Sequence, residues 1–235
     1  MSTAQLEYQP HHRDVTGGWL RPAVFGVMDG LVSNGALIAG VAGGGADPHT
    51  IVLTGLAGLV AGACSMATGE YTSVASQSEL TRAEIARERA ELAANPVEEQ
   101  AELAAIYRAR GLDADLADRV AEQLSRNPDQ VWRVHVREEL GVDPDDLPSP
   151  LVAAGSSFAA FALGALVPVL PFLLGLGSLA STLVFTAAAL FVAGAAVARL
   201  TRVPTWFGGL RQLVLAAGAA AVTFGIGHLV GTTLT

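Results

Sequence analysis

Residues 51–94 read IVLTGLAGLVAGACSMATGEYTSVASQSELTRAEIARERAELAA. The first 26 residues, Ile51–Ser76, are apolar and rich in small residues. The remainder is acidic and basic by turns, and nothing between them breaks a helix until Asn95-Pro96. A hydrocarbon core of ~30 Å needs ~20 helical residues, so the apolar part is long enough to span one. The sequence therefore predicts one long helix that leaves a membrane and enters water without interruption. The fold has to be built around that passage.

Four further apolar runs are also long enough to span such a core: Pro22–Ala42, Leu151–Leu174, Leu179–Leu200 and Phe207–Leu234. In the second (Ile51–Ser76), third and fifth runs along the chain, small residues alternate with Leu, Val and Phe around the whole helix, as in helices buried in lipid and protein. The connections 43–50 and 175–178 are short and glycine-rich. Pro168 and Pro171 predict a kink in the third run. Composition agrees with this reading. Charged residues make up 15% of the chain, against about 25% in soluble domains, and the mean hydropathy is +0.43.

The charge is concentrated in one place. Residues 79–146 hold 17 Asp and Glu against 9 Arg, a net of −8 that equals the formal net charge of the entire chain. The apolar blocks are therefore neutral together. Arg13, Arg21, Arg199, Arg202 and Arg211 flank the spans, while the loops 43–50 and 175–178 carry no basic residue. The positive-inside rule then predicts a cytoplasmic N-terminus and a cytoplasmic insert. Breakers divide the insert into helices at Glu79–Ala94, Val97–Arg110, Ala114–Arg126 and Asp129–Leu140, with Gly111 and Gly141 as stops. A bundle this small is expected to be marginally stable.

Several chemistries are excluded at this stage. An acidic chain lacks the basic footprint of a nucleic-acid binder. Cys64 is the single cysteine, so neither an intrachain disulfide nor a cysteine zinc site can form. The sequence has no P-loop, G-x-G-x-x-G or nucleophile elbow, so nucleotide-driven transport has no support, and no enzyme is expected. Residues Met1–Leu20 show no apolar core followed by a small-residue cleavage site, and no cleavable signal is expected there.

Two constellations remain. In the insert, Glu88 and Glu91 are i,i+3, as are Glu99 and Glu102 on the next helix, and His135 and Glu139 are i,i+4 on the last. Residues three or four apart share a helix face, so these side chains can converge. Clustered carboxylates repel unless a cation lies between them. Oxygen donors with one imidazole suit Mn(II), Fe(II) or Zn(II) better than Cu(I). The alternative is a solvated acidic surface paired with Arg87, Arg89 and Arg108. In the membrane, Asp29 lies within the first run and Glu70 near the end of the second, with Met66 one turn before it. Ionisable groups at such depth mark pathways and proton relays; the alternative is a packing seam with a snorkelling Glu. Ser33 and Asn34 suit hydrogen bonds between helices.

In order along the chain, Gly26-Val-Met-Asp-Gly-Leu-Val-Ser-Asn34, Ser65-Met-Ala-Thr-Gly-Glu-Tyr71, the E-x-x-E pairs, Glu139-Leu-Gly141 and Gly164-Ala-Leu-Val-Pro-Val-Leu-Pro171 resemble the vacuolar iron transporter family. The likeness runs from about His12 to the C-terminus. It implies an all-α integral membrane protein of five transmembrane helices, with a small helical cytoplasmic metal-binding domain inserted between spans two and three. The boundaries would be 1–21 for the N-terminal segment, 22–78 for spans one and two, 79–150 for the metal-binding domain and 151–235 for spans three to five.

By that resemblance, Asp29, Met66 and Glu70 belong to the transport pathway. Glu88, Glu91, Glu99, Glu102 and Glu139 would be the carboxylates of the cytoplasmic site, with His135 beside them. The implied activity is export of Fe(II), and often Mn(II), from the cytosol in exchange for protons, by a homodimer joined through the first span. No tightly bound cofactor is implied, although Zn(II) suits the cytoplasmic site. The membrane would be the plasma (inner) membrane of a bacterium, or a vacuolar membrane otherwise. Three positions depart from the family: Pro22 stands where some members have Asp, Gly58 where some have Glu, and His135 where a plant member has a Met ligand. Two competing readings are a membrane-anchored ferritin-like di-iron oxidase or iron store, and a metal-binding membrane protein that transports nothing. The first usually carries Glu-x-x-His pairs, and the chain contains no such tetrapeptide.

Overall fold

A computed structural model of the chain describes residues 18–233. Most of the N-terminal segment of the sequence reading, including Arg13, lies outside them. Every regular element among the described residues is helical: α1 (Leu20–Gly43), α2 (Pro48–Ala94), α3 (Pro96–Ala109), α4 (Ala114–Ser125), α5 (Pro128–His135, continued by a π-helical turn Val136–Leu140), α6 (Pro150–Leu166), α7 (Leu170–Leu173), α8 (Leu179–Leu200) and α9 (Thr205–Thr233). These form two compact units, one of residues up to Thr72 together with those from Pro150 onward, the other Ser73–Ser149.

The uninterrupted α2 is as expected: 47 residues without a break, roughly 70 Å at 1.5 Å per residue. Four helices, α1, α2, α8 and α9, are long and apolar enough to cross a membrane. The stretch expected as the third span is divided. The helix α6 has 17 residues, and the short α7 follows after a break at Val167–Val169 that includes Pro168. That break leaves Pro168 O outside a regular helical ladder, and Thr182 Oγ1 donates to it at 3.3 Å.

In the first unit α1 is the central element, packed on α6, α9 and α8. Its approach to α6 is a backbone contact. A Cβ on Gly26 would stand 2.8 Å from Ser157 O, and Gly30 and Gly164 face equally close backbone across the same seam. Small residues let helices pack this closely where lipid tails give no hydrophobic drive between them. Thr223 Oγ1 donates to Ala36 O at 2.7 Å and ties α9 to α1. The outward faces are apolar and uncovered, with Leu53, Leu163 and Val184 all more than 60% exposed. Surfaces of that kind belong in lipid rather than water.

The second unit has a small core. Leu103, Ala104 and Ala121 are buried between α3 and α4, with Tyr107, Leu124 and Val134 packed on them. Gly111, at φ +99°, makes the turn between α3 and α4, and Gly141, at φ +66°, stops the last helix; both are positions where a left-handed backbone favours glycine. Outside the core, the Arg89 guanidinium lies 3.6 Å from the Trp132 ring centroid. Arg137 pairs with Asp143 at 2.9 Å and Arg133 with Asp145 at 3.2 Å.

Candidate metal centre and membrane cavity

Helix spacing brings some of the predicted ligands together and leaves others at the rim. Glu88 on α2, Glu99 on α3, and His135 and Glu139 on α5 and its π turn offer four ligand atoms within 4.8 Å of one another. His135 is completely buried. Its Nδ1 is 2.8 Å from Glu139 Oε1, 3.1 Å from Glu88 Oε1 and 3.8 Å from Glu99 Oε2. One ring nitrogen carries at most one proton, so it cannot serve three carboxylates. Glu88 Oε1 is accordingly buried without a hydrogen-bond partner, and so is His135 Nε2.

Glu91 and Glu102 line the same cleft, about 360 Å³ in volume, but outside the tight group. Glu91 pairs with Arg87 at 3.1 Å on a half-exposed surface. Residues three apart on a helix differ in direction by about 60°, so only one of each E-x-x-E pair points fully inward. The π turn widens the last helix around Glu139. Spacing alone does not announce such a turn, and π turns recur at functional sites.

The electrostatics of the group are those of acids crowded out of water. Burial pushes the Glu88 carboxyl up to about 7, with the Glu139 charge adding to the effect and His135 opposing it. Glu99 is raised by burial and then by Glu88. Glu139 is raised by burial and then by Glu102. Desolvation and like charge both disfavour the ionised form. A divalent cation among these oxygens would remove both penalties. The donor set, three carboxylates and one imidazole, fits Mn(II), Fe(II) or Zn(II).

In the other unit, Asp29, Met66 and Glu70 line one cavity of about 430 Å³ with Asn34, Gly58 and Phe161. Glu70 is buried, and its Oε2 accepts from Arg21 Nη2 at 3.1 Å. Asn34 does bond between helices, as its position in the sequence suggests, donating from Nδ2 to Gly55 O at 3.1 Å and Ala165 O at 2.6 Å. Two features escape a reading of the sequence. Arg21 enters there only as a marker of membrane orientation, and its pairing across 49 positions has no periodic signal. The place of Asn34 on the cavity wall is equally non-local.

The profile of the VIT family matches residues 20–228, nearly the whole described chain. This chain belongs to the VIT family. Among its relatives, the "Vacuolar iron transporter" of Acanthamoeba castellanii is 39% identical over 155 residues, covering 66% of this chain and 56% of that protein. This chain thus spans little more than half of the Acanthamoeba protein's length. The "Vacuolar iron transporter 2" of Oryza sativa subsp. japonica is 32% identical over 217 residues, 91% of this chain and 88% of the relative. The "Vacuolar iron transporter 1" of Arabidopsis thaliana is 30% identical over 228 residues, 96% and 91% respectively. The resemblance read from the motifs therefore holds along the whole VIT match, and the names of these relatives are those of transporters, not enzymes.

Proposed function

We propose that this VIT-family protein is an integral membrane transporter that moves divalent iron and manganese out of the cytosol in exchange for protons. The observation that carries the reading is the membrane cavity. Two carboxylates and a thioether, from Asp29, Glu70 and Met66, line one space among apolar helices. Acidic groups at membrane depth are costly and belong to pathways. In this reading α6 and α7 together make the third of five spans, 24 residues from Pro150 to Leu173 if counted through the break. The N-terminus and the insert are cytoplasmic, and two copies associate through α1.

The chemistry follows from the donors. A hydrated cation meets Glu70, and exchanges water for the Met66 thioether and the Asp29 carboxylate. A proton arriving from the far side competes for the same oxygens and displaces the metal. The insert, with Glu88, Glu99, Glu139 and His135 as inner ligands and Glu91 and Glu102 at the rim, binds the same class of ion and raises its local supply. Iron and manganese are cargo here, with no tightly bound cofactor, and Zn(II) is a further ligand for the insert. A ferritin-like oxidase is less well supported, since the group holds one imidazole where that chemistry normally places two.

The test is Fe(II) uptake by inside-out vesicles. Asp29→Ala should abolish uptake while the protein remains folded and inserted. Unchanged uptake by a well-folded Asp29→Ala protein would remove the assignment.

A further inference from the structure

Asn34 is buried in the middle of α1, and its amide has only one workable orientation. Its Nδ2 donates to two backbone carbonyls, Gly55 O on α2 and Ala165 O on α6. Turning the amide over would set Oδ1 against those two oxygens. Oδ1 therefore faces elsewhere, and it is buried with no hydrogen-bond partner. A buried acceptor left bare carries a desolvation penalty, so such an atom is where a ligand is expected. The residue also lines the cavity that contains Asp29, Met66 and Glu70.

Gly58 on α2 bears on the same oxygen. A Cβ at Gly58 would stand 2.7 Å from Asn34 Oδ1 and 2.7 Å from Leu37 Cδ2. The Leu37 methyl is the end of a flexible side chain and can move aside. The amide, held at its nitrogen by two hydrogen bonds, cannot. The bare backbone at position 58 thus leaves the space beside the buried Oδ1 free of any side-chain atom of its own.

We propose that Asn34 Oδ1 is a neutral oxygen ligand for the divalent cation passing through this cavity, and that the missing side chain at Gly58 leaves room for the ion to reach it. The proposal rests on the transport reading of the same cavity. A carboxylate attracts the ion by charge, whereas the amide oxygen replaces a water of its hydration shell without adding charge. Donation from Nδ2 to two carbonyls polarises the amide and strengthens its oxygen as an acceptor. Conduction needs sites strong enough to admit an ion and weak enough to release it, and a neutral oxygen supplies the weaker step. Being hard, it favours Mn(II) over soft Cd(II), while the Met66 thioether is the soft partner.

The experiment measures initial uptake of Mn(II) and of Cd(II) against concentration, with the full-length protein in proteoliposomes. Asn34→Ala should raise KM for Mn(II) by about tenfold or more and raise it less for Cd(II), so the Mn(II)/Cd(II) ratio of kcat/KM falls. Gly58→Ala, which retains the Asn34 amide with both its donor hydrogens, should move KM and the ratio in the same direction. If Asn34→Ala does not fold, Gly58→Ala decides alone. A lower kcat with unchanged KM and ratio would overturn the proposal, leaving Asn34 as a tie between helices or a holder of water. A wild-type protein that moves neither ion would instead overturn the transport reading itself.

Discussion

Arg21 Nη2 lies 3.1 Å from Glu70 Oε2, joining an exposed guanidinium at the start of α1 to a buried carboxylate on the wall of the membrane cavity. The pair occupies one of the two acids the cavity offers. In the proposed transport cycle the guanidinium and the metal would compete for the same oxygen.

Replacing Arg21 therefore favours the metal. Arg21→Ala should lower the apparent KM for Mn(II), by no more than about fivefold, since a pair with one exposed partner is worth little. Concentration-dependent uptake in proteoliposomes measures it. A raised KM would mean that Arg21 holds Glu70 in position instead of competing for it.

The acidic insert should respond to pH in opposite directions with and without metal. The Glu88 carboxyl moves from an ordinary value of 4.5 to about 7 on folding, and Glu99 and Glu139 are raised as well. A raised folded pKa means that the folded state binds more protons than the unfolded one. The resulting stabilisation is complete below the unfolded value and is lost as pH rises through the folded value. Metal-free protein should thus unfold at a lower temperature at pH 8 than at pH 5. Added Mn(II) should stabilise it more at pH 8, where the carboxylates no longer hold protons. Thermal unfolding in detergent at both pH values, with and without Mn(II), checks both signs.

His135 is the one nitrogen donor in the cluster. His135→Ala should weaken Zn(II) binding to the insert by at least about tenfold, the lower bound seen when even outer partners of a ligand are lost. The loss for Mn(II), which prefers oxygen, should be smaller. Calorimetric titration with each metal separates the two.

Glu88 and Glu91 give a paired test of which face of α2 matters. Glu88→Gln, inside the cluster, should weaken Mn(II) binding by about tenfold or more. Glu91→Gln, at the rim beside Arg87, should change it by less than about threefold. Equal effects would place the ion at the mouth of the cleft.

Much of this arrangement is legible in the chain, because it depends on local signals. The passage of α2 from apolar to acidic helix follows from the absence of a breaker between Ile51 and Ala94. The stops at Gly111 and Gly141 follow from residues that accept a positive φ. The carboxylate spacing points to the helices whose side chains converge in the cluster, though i,i+3 geometry does not say which member of each pair turns inward. The rest depends on tertiary placement. The Arg21–Glu70 pair and the two bonds of Asn34 to α2 and α6 join residues far apart in sequence, and the π turn at Val136–Leu140, though local, has no signal in the residue spacing. The division between α6 and α7 shows the remaining limit: Pro168 and Pro171 announce a disturbance, but not that the helix would stop and restart.

The most direct measurement is flux in proteoliposomes carrying a metal-sensitive dye and a pH-sensitive dye together. Wild-type protein, given Mn(II) outside and an acidic lumen, should bring the metal in as the lumen becomes less acidic, and Asp29→Ala should abolish both signals. Binding of Mn(II) to the wild-type protein with neither signal would identify a metal-binding membrane protein that transports nothing.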